Sequence, residues 1–402
     1  MRNTNKKGFT IVELVIVVAV IAILAAVLIP TFSSIIRKAN VSNDTVIARE
    51  INTIIAAENA IDKFEGFEDV IKALYSNGFH LANLNTKTAG CFFVWDSETN
   101  QMLLVDAKDN FKVLFPENGY TAKGAAWNLV CSDKDLLTGL ELGDITVKYA
   151  VSSATSLNEI IAAGTTETIF IDENFEIEDG AKISFDGSGE HTLILGDSSI
   201  STNGTINGAP VYVANSTLNI QGGTLNASGE FTNIHGTYNC AIGYDGGAKL
   251  FVNDINFIGI TGINGAMHND GHVELVVENS TFDVSSSGVV LSTGGNNSTA
   301  EINNCNITAG GRAIFTSQQG TVTVNGGTYK GDTAVIGAQD EGTKVIVNGG
   351  TFEGALAITG NATLVINGGT FKNTGLELNT FKTYLAEGKT VTENADGSWT
   401  VK

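Results

Sequence analysis

The sequence predicts a multidomain chain: a long N-terminal α-helix, a small α+β domain with an antiparallel sheet, and a large all-β array. Three observations support this fold class. An apolar segment lies near the N-terminus, three short apolar runs separated by turn residues follow it, and one eight-residue pattern recurs through the second half of the 402 residues. A chain of this length exceeds one ordinary hydrophobic core, so several domains are expected.

The apolar segment covers residues 6–32. Residues 14–29 form an unbroken run of sixteen apolar residues, and with residues 9–12 the segment reaches the roughly 20 residues needed to span a bilayer. Glu13 is the one charge within residues 9–32. A carboxylate at that depth costs on the order of 3 kcal/mol or more unless it has a partner, so Glu13 is predicted to be functional.

The sequence KKGFT at residues 6–10, followed by Glu13, resembles the type IV prepilin signature. The resemblance implies that a membrane peptidase cuts between Gly8 and Phe9 and methylates the new amino terminus. Glu13 then becomes the fifth mature residue and meets the terminal amine of a neighbouring subunit during fibre assembly. Pro30 matches a family proline that kinks or locally melts the helix. A plain membrane anchor is the alternative, and it leaves Glu13 unexplained.

Residues 33–63 continue the helix, because apolar residues recur there at mixed spacings of three and four. A single helix over residues 9–62 would be about 80 Å long, far more than a bilayer needs. Its second half is therefore predicted to lie on a soluble domain. Asn40, Asn43 and Asp44 are weak helix formers, which predicts a bend.

A second helix is predicted at residues 67–77, followed by strands at 91–95, 101–105 and 111–115. A helix lying across such a three-stranded antiparallel sheet resembles the head of a pilin. Cys91 and Cys131 fall in this region. A disulfide between them and separate buried thiols are both compatible with the sequence.

The repeating pattern has eight positions, and its segments are 19 to 32 residues apart. The segments end at Ile200, Leu225, Phe257, Phe282, Ile307, Tyr329, Phe352 and Phe371. Positions one and three are apolar and are predicted to face inward, whereas position two varies and faces outward. Position four carries Asn253, Asn303, Asn325, Asn348 and Asn367, with Gln221 and Glu278 as substitutes. Stacked coils would place these side chains in a hydrogen-bonded ladder.

Short strands, variable coil lengths and Asn-Gly turns resemble the right-handed parallel β-helix of many surface and polysaccharide-acting proteins. A short helix at residues 157–163, with Ser156 and Glu159 as its capping box, is predicted to cover the first coil. The predicted boundaries are: prepilin leader 1–8, long helix 9–62 (membrane or fibre core 9–32), pilin-like α+β head 63–150, linker and capping helix 151–168, parallel β-helix 169–379, and C-terminal cap 380–402.

Composition argues against several functions. The formal charge of −20 becomes −23 once a leader carrying Arg2, Lys6 and Lys7 is removed, which disfavours nucleic-acid binding. No convincing catalytic set occurs in the array, so we expect a non-enzymatic protein without metal or cofactor. His268, Asp270 and His272 alternate as metal ligands on a strand would, but Asp270-Gly271 is a turn dipeptide. The acidic run from Asp172 to Asp179 is expected to be a solvated rim, with weak calcium binding as the alternative.

Together these features predict a type IV pilus or pilus-like subunit. Its size favours a minor or tip role. Before assembly it would cross the cytoplasmic membrane once, and afterwards it would lie in an extracellular fibre or at the cell surface. The expected partners are other pilin subunits, prepilin peptidase, the assembly machinery, and a glycan or protein ligand of the β-helix. A pseudopilin of a secretion system and a surface-anchored polysaccharide-acting enzyme are the alternatives.

Overall fold

The computed structural model describes most of the 402 residues. The described ranges are 10–80, 84–116, 124, 126–132, 134–162, 167–178, 181–187, 189–202, 205–207, 209–228, 230–232, 240–259, 263–265, 272–284, 289–295 and 297–402. They fall into two compact units. The first comprises residues 1–79, 83–130 and 136–146, and the second comprises 80–82, 131–135 and 147–402.

The first unit combines two helices with an antiparallel sheet. Its elements are α1 (Ile11–Ile61), α2 (Phe67–Ser76), β1 (Cys91–Asp96), β2 (Gln101–Asp106), β3 (Lys112–Phe115) and β4 (Trp127–Cys131). β1 pairs antiparallel with β2 and with β4, and β2 pairs antiparallel with β3. The predicted three-stranded antiparallel meander is therefore confirmed, and β4 adds a fourth strand.

The second unit begins with β5 (Thr146–Val151), α3 (Ala154–Ile161), β6 (Glu167–Ile171) and β7 (Phe175–Glu176). α3 starts earlier than predicted, and the predicted capping box at Ser156 is wrong. Ser153 is the N-cap, since its hydroxyl accepts from the amide of Ser156 at 3.2 Å. The side chain of Asn158 in α3 donates to the carbonyl of Lys182 and accepts from the amide of Ser184, at the start of strand β8 (Ile183–Asp186). These bonds satisfy backbone polar groups at the edge of a sheet.

Strands that carry the eight-residue pattern form what we call the template sheet. They are β9 (Glu190–Thr202), β12 (Thr217–Ala227), β15 (Lys249–Asn253), β16 (Asn256–Gly259), β18 (Glu274–Glu278), β19 (Thr281–Val284), β21 (Thr299–Asn303), β22 (Asn306–Ala309), β24 (Thr321–Gly331), β26 (Lys344–Glu353), β28 (Thr363–Ile366) and β29 (Gly369–Lys372). Each pairs in parallel with the corresponding strand of the next repeat.

The segments between templates contribute a second parallel sheet, the return sheet. Its strands are β8 (Ile183–Asp186), β11 (Val211–Ala214), β14 (Ile242–Asp245), β17 (Ile263–Gly265), β20 (Val289–Thr293), β23 (Arg312–Thr316), β25 (Ala334–Ala338) and β27 (Leu356–Ile358). One column of eight aliphatic residues, from Ile183 to Leu356, runs through all of them as consecutive pairing partners. Two short strands, β10 (Thr205–Asn207) and β13 (Glu230–Thr232), pair separately.

Position eight of the template provides a stacked aromatic core. The rings of Phe257 and Phe282 lie 4.4 Å apart, and those of Tyr329, Phe352 and Phe371 stack in turn at 5.0 and 4.9 Å. The C-terminal elements continue this column, because Phe381 contacts Phe371 at 5.2 Å. They are α4 (Leu378–Lys382), β30 (Val391–Glu393) and β31 (Trp399–Val401), and β31 runs antiparallel to β29.

The predicted amide ladder at position four is confirmed over five consecutive repeats. Each asparagine donates its Nδ2 to the side-chain oxygen of the repeat before it. The four links are Asn303 to Glu278 (2.7 Å), Asn325 to Asn303 (2.9 Å), Asn348 to Asn325 (2.7 Å) and Asn367 to Asn348 (2.8 Å). The three links between asparagines are neutral hydrogen bonds, which contribute about 1 kcal/mol each.

The first repeat departs from the predicted alignment. Leu218 pairs with His191 and Ile220 pairs with Leu193, so His191 occupies position one where Leu193 was predicted. The first repeat has two more residues between positions one and eight than the second repeat has. Irregular pairing around Gly222 accommodates them, so that Leu225 pairs with Ile200 as predicted. His191 is consequently buried in the core, with its ring 5.3 Å from that of Phe185.

The turn after position four contains two consecutive glycines, and the backbone does not require every one of them. At Gly327, in position six, φ is +90°, and a Cβ would lie 2.2 Å from the carbonyl oxygen of Cys305. At Gly349, in position five of the next repeat, φ is not positive and the nearest atom to an added Cβ is 3.9 Å away. We expect Gly327→Ala to lower the free energy of unfolding of this unit by about 2 kcal/mol or more, measured by denaturant titration.

Gly349→Ala is the matched control, and we expect it to change stability by about 1 kcal/mol or less. Equal destabilisation by the two substitutions would contradict the packing described for Gly327.

Burial of His191 predicts a pH-dependent stability. Desolvation lowers the pKa of His191, so the unfolded chain takes up this proton at a higher pH than the folded chain does. The stabilisation is complete above the unfolded pKa of about 6.5 and is lost as the pH falls through the lowered folded value. Unfolding midpoints measured at pH 7.5 and at successively lower values should decrease, and His191→Phe should reduce this dependence. A variant of the exposed His272 should retain it.

Candidate functional site

The N-terminal half of α1 is the main candidate site. Thr10 is its N-cap: the hydroxyl of Thr10 accepts from the amide of Glu13 at 3.2 Å. In return, Glu13 Oε2 accepts from the amide of Thr10 at 2.9 Å and from its hydroxyl at 2.8 Å. This reciprocal capping box holds the carboxylate of Glu13 at the first turn of the helix.

The same half of α1 has no packing partner within the described part of the chain. From Ile11 to Ala39 every side chain is exposed except that of Ala25, which is half-buried. Ile11 is 81% exposed and Ile23 is 67% exposed. The helix is long and apolar enough to cross a membrane. A surface of this kind requires lipid or other apolar helices around it.

Pro30 lies inside α1, and the helix is continuous through it. The structure therefore contains no local melting at this residue, and the predicted kink stays a prediction. Because proline has no amide hydrogen, the carbonyl of Ala26 loses its helical donor. One residue further on, the hydroxyl of Thr31 donates to the carbonyl of Val27 at 2.9 Å. Gly8 and Phe9, the predicted processing residues, lie outside the described residues.

Polar residues attach the second half of α1 to its own unit. Asp44 is completely buried, and its carboxylate accepts from the amides of Lys87 (2.8 Å) and Thr88 (3.0 Å) and from the hydroxyl of Thr88 (2.6 Å). Asn52 bonds both backbone groups of Met102. The helix is continuous where Asp44 was predicted to favour a bend, because this residue serves a tertiary contact instead.

Cys91 and Cys131 are both buried, and the structure contains no disulfide among the four cysteines. The alternative of a Cys91–Cys131 bridge is therefore not realised. The thiol of Cys91 accepts from Arg37 Nη2 at 3.9 Å, and Arg37 forms an ion pair with Asp106. Burial, with a smaller contribution from the Asp106 carboxylate, raises the pKa of Cys91 to about 11, which keeps it a thiol at neutral pH.

The array shows different environments for the polar residues singled out in its sequence. Arg312 lies over the ring of Phe315, 5.0 Å from its centroid. Asp172 is 1% exposed and so does not belong to a solvated rim. His272 is exposed, and its Nδ1 lies 2.6 Å from the carbonyl oxygen of Asn297. His268 and Asp270 lie outside the described residues.

The sequence predicted Glu13 and Pro30 as site residues but not the role of Thr10. The signal for Thr10 was present, because Thr-x-x-Glu at residues 10–13 has the spacing of a capping box. The roles of Asp44 and Asn52 have no such signal. A polar residue on an amphipathic helix is ordinarily solvated, and only the tertiary fold brings Thr88 and Met102 to these two residues.

Comparisons with known proteins match the N-terminal segment. Residues 3–29 match the family described as "Prokaryotic N-terminal methylation motif". The chain is 51% identical over 51 residues to the type IV wide pilus major component PilA4 of Thermus thermophilus. It is 46% identical over 46 residues to the type IV major pilin protein PilE1 of Neisseria gonorrhoeae and to a fimbrial protein of Neisseria meningitidis.

These matches cover a limited part of each chain. The PilA4 match spans 13% of this chain and 37% of PilA4, and the PilE1 match spans 11% and 28%. No solved structure matches. The N-terminal region is thus type IV pilin-like and carries the methylation motif, and it is followed by a large all-β region.

Proposed function

We propose that this protein is a subunit of a type IV pilus or pilus-like fibre, assembled through the N-terminal half of α1. The observation that carries the proposal is the exposure of an apolar half-helix that contains one carboxylate and begins within the methylation motif. Burying a large aliphatic side chain contributes about 1.5–3 kcal/mol. Sixteen consecutive apolar residues therefore provide a strong driving force for insertion into a bilayer or a bundle of like helices.

Glu13 gives this surface its specificity. Inside one chain its carboxylate is bonded by Thr10, which supplies hydrogen bonds but no positive charge. We infer that a prepilin peptidase cuts between Gly8 and Phe9 and that the new amine is methylated. The terminal amine of one subunit would then pair with Glu13 of another, because an ion pair offsets part of the cost of a carboxylate in an apolar surrounding.

The remainder of the chain would be displayed by this fibre. We infer that the first unit is a pilin-like head, since Asn52 in the second half of α1 bonds Met102 of an antiparallel sheet, and Asp44 bonds the segment just before β1. We further infer that the second unit is a right-handed parallel β-helix. Its parallel sheets and amide ladder support a rigid, non-enzymatic module that makes contacts at the cell surface.

The size of the displayed module favours a minor or tip subunit over a repeating shaft subunit. The precursor would cross the cytoplasmic membrane once, and the mature protein would be extracellular. A pseudopilin of a secretion system shares the same N-terminal features. Electron microscopy of sheared surface material distinguishes the two, because only a pilus forms long fibres that contain the protein.

Gly8→Val tests the processing site. A side chain larger than hydrogen at the residue before the cut should prevent cleavage, so the protein should accumulate at its precursor mass in the membrane fraction. Mass spectrometry of the intact protein reads out this change. Recovery of the mature mass from the variant would refute cleavage after Gly8.

Glu13→Ala tests the assembly role. Removing a charge from the apolar segment does not hinder membrane insertion, so the variant should still insert and be cleaved. Incorporation into sheared fibres should fall on the order of tenfold, since the carboxylate no longer pairs with its neighbour's amine (1.4 kcal/mol corresponds to about tenfold). Glu50→Ala, on the exposed face of the same helix, is the control and should incorporate normally. Wild-type incorporation of the Glu13 variant would contradict the assembly role.

A further inference from the structure

We propose that the outward face of the template sheet carries a binding site for a neutral saccharide, centred on Phe251. This rests on the proposed function only in that the array is displayed at a surface. The site is a shallow groove of about 300 Å³ across β12, β15 and β18, at the lower end of the range for small-molecule sites. The outward side chains that line it are Asn219, Gln221, Phe251, Asn253, Val276 and Glu278. We call it the Phe251 groove.

Phe251 presents a partly exposed aromatic ring on this face. Phe251 lies at position two, where the pairing places Asn219 in the repeat before it and Val276 in the repeat after it. All three side chains are half-exposed. The position-two residues of the other repeats are Thr192, Glu301, Thr323, Ile346 and Val365. Phe251 is thus the single aromatic residue in this column, and its ring offers a flat apolar surface beside solvent.

The amide ladder is interrupted at the groove, independently of the aromatic ring. From Asn303 to Asn348, the side-chain oxygen of each ladder asparagine accepts a hydrogen bond from the ladder asparagine of the next repeat. In the groove this pattern changes. Asn253 accepts from Asn279 Nδ2 at 3.1 Å, but the side chains of Gln221 and Asn253 donate no hydrogen bond to any described residue, and the side chain of Glu278 accepts from Asn303 through Oε1 alone. Two amide donors and one carboxylate oxygen therefore line the groove beside Phe251.

This combination fits the chemistry of a sugar ring. A pyranose has an apolar face of C–H groups that packs on an aromatic ring, and a rim of hydroxyls that both donate and accept. Phe251 and Val276 provide the apolar contact, while Gln221, Asn253 and Glu278 provide donors and acceptors at its edge. Positions two and four are about 7 Å apart and three repeats extend about 10 Å, which is long enough for a disaccharide.

Charge determines the class of saccharide. Glu278 lies in the groove itself, and the chain carries a formal charge of −20, so a uronic acid or sulfated glycan would be repelled. Lys249, which borders the Phe251 column, is paired with Glu274 at 3.2 Å, so its positive charge is compensated. A protein partner would need an interface of roughly 1,000 Å² or more, which a groove of this size does not supply by itself. A neutral glycan is therefore the ligand that the groove favours.

The test uses the full chain, purified in a detergent without a sugar head group. It is applied to an array of neutral oligosaccharides (cello-, malto-, manno- and xylo-hexaose) and oligogalacturonate. We expect binding to at least one neutral oligosaccharide and none to oligogalacturonate. Titration calorimetry of the best ligand should show at least a tenfold loss of affinity in Phe251→Ala and a smaller loss in Asn253→Ala.

The chain supplies matched controls at the same positions. Ile346→Ala and Asn348→Ala alter positions two and four where the ladder is complete, so both should bind as wild type does. Absence of binding to every neutral oligosaccharide, preferred binding of oligogalacturonate, or equal losses in the Phe251 and Ile346 variants would each overturn the inference. Glu13→Ala separates the two proposals: it should retain saccharide binding while losing fibre incorporation. Phe251→Ala should assemble normally.

Discussion

The apolar half of α1 is the constraint on which the molecule depends, because nothing in the described part of its own chain covers it. Every large aliphatic side chain from Ile11 to Ile36 is exposed. An exposed apolar surface of this size marks an interaction site, and the proposed function covers it with a bilayer or with other helices. The methylation motif and the Glu13–Thr10 capping box begin at this same end. Under that proposal, the residues that leave the isolated chain uncovered are also those that direct its assembly.

Much of the array could be predicted from one pattern. Alternating apolar positions and a repeated asparagine predicted inward columns and an amide ladder, and both are present. The first repeat was misaligned by two residues. In the sequence, Leu193 and Leu195 fit apolar positions one and three, whereas in the structure His191 and Leu193 occupy them. The pairing irregularity at Gly222 that accommodates this shift cannot be recognised from a pattern of apolar residues. Burial of a histidine in the core was consequently missed.

What escaped prediction consists of polar residues whose partners are distant in sequence. Asp44 and Asn52 look like solvated residues of an amphipathic helix, but they fasten α1 to Thr88 and Met102. The break in the amide ladder was visible as the substitutes Gln221 and Glu278. The sequence did not show that this break leaves the side-chain donors of Gln221 and Asn253 unused, because that depends on the direction of the hydrogen bonds in the folded array.

The chain thus joins an uncovered apolar half-helix to an array that is stabilised by repetition of simple contacts. The most direct test of the central claim is proteomics of sheared surface fibres with the N-terminal peptide resolved. Processing and assembly together predict a mature peptide that begins at a methylated Phe9 and is enriched in the fibre fraction. A peptide that begins at Met1, found in the membrane fraction alone, would contradict it.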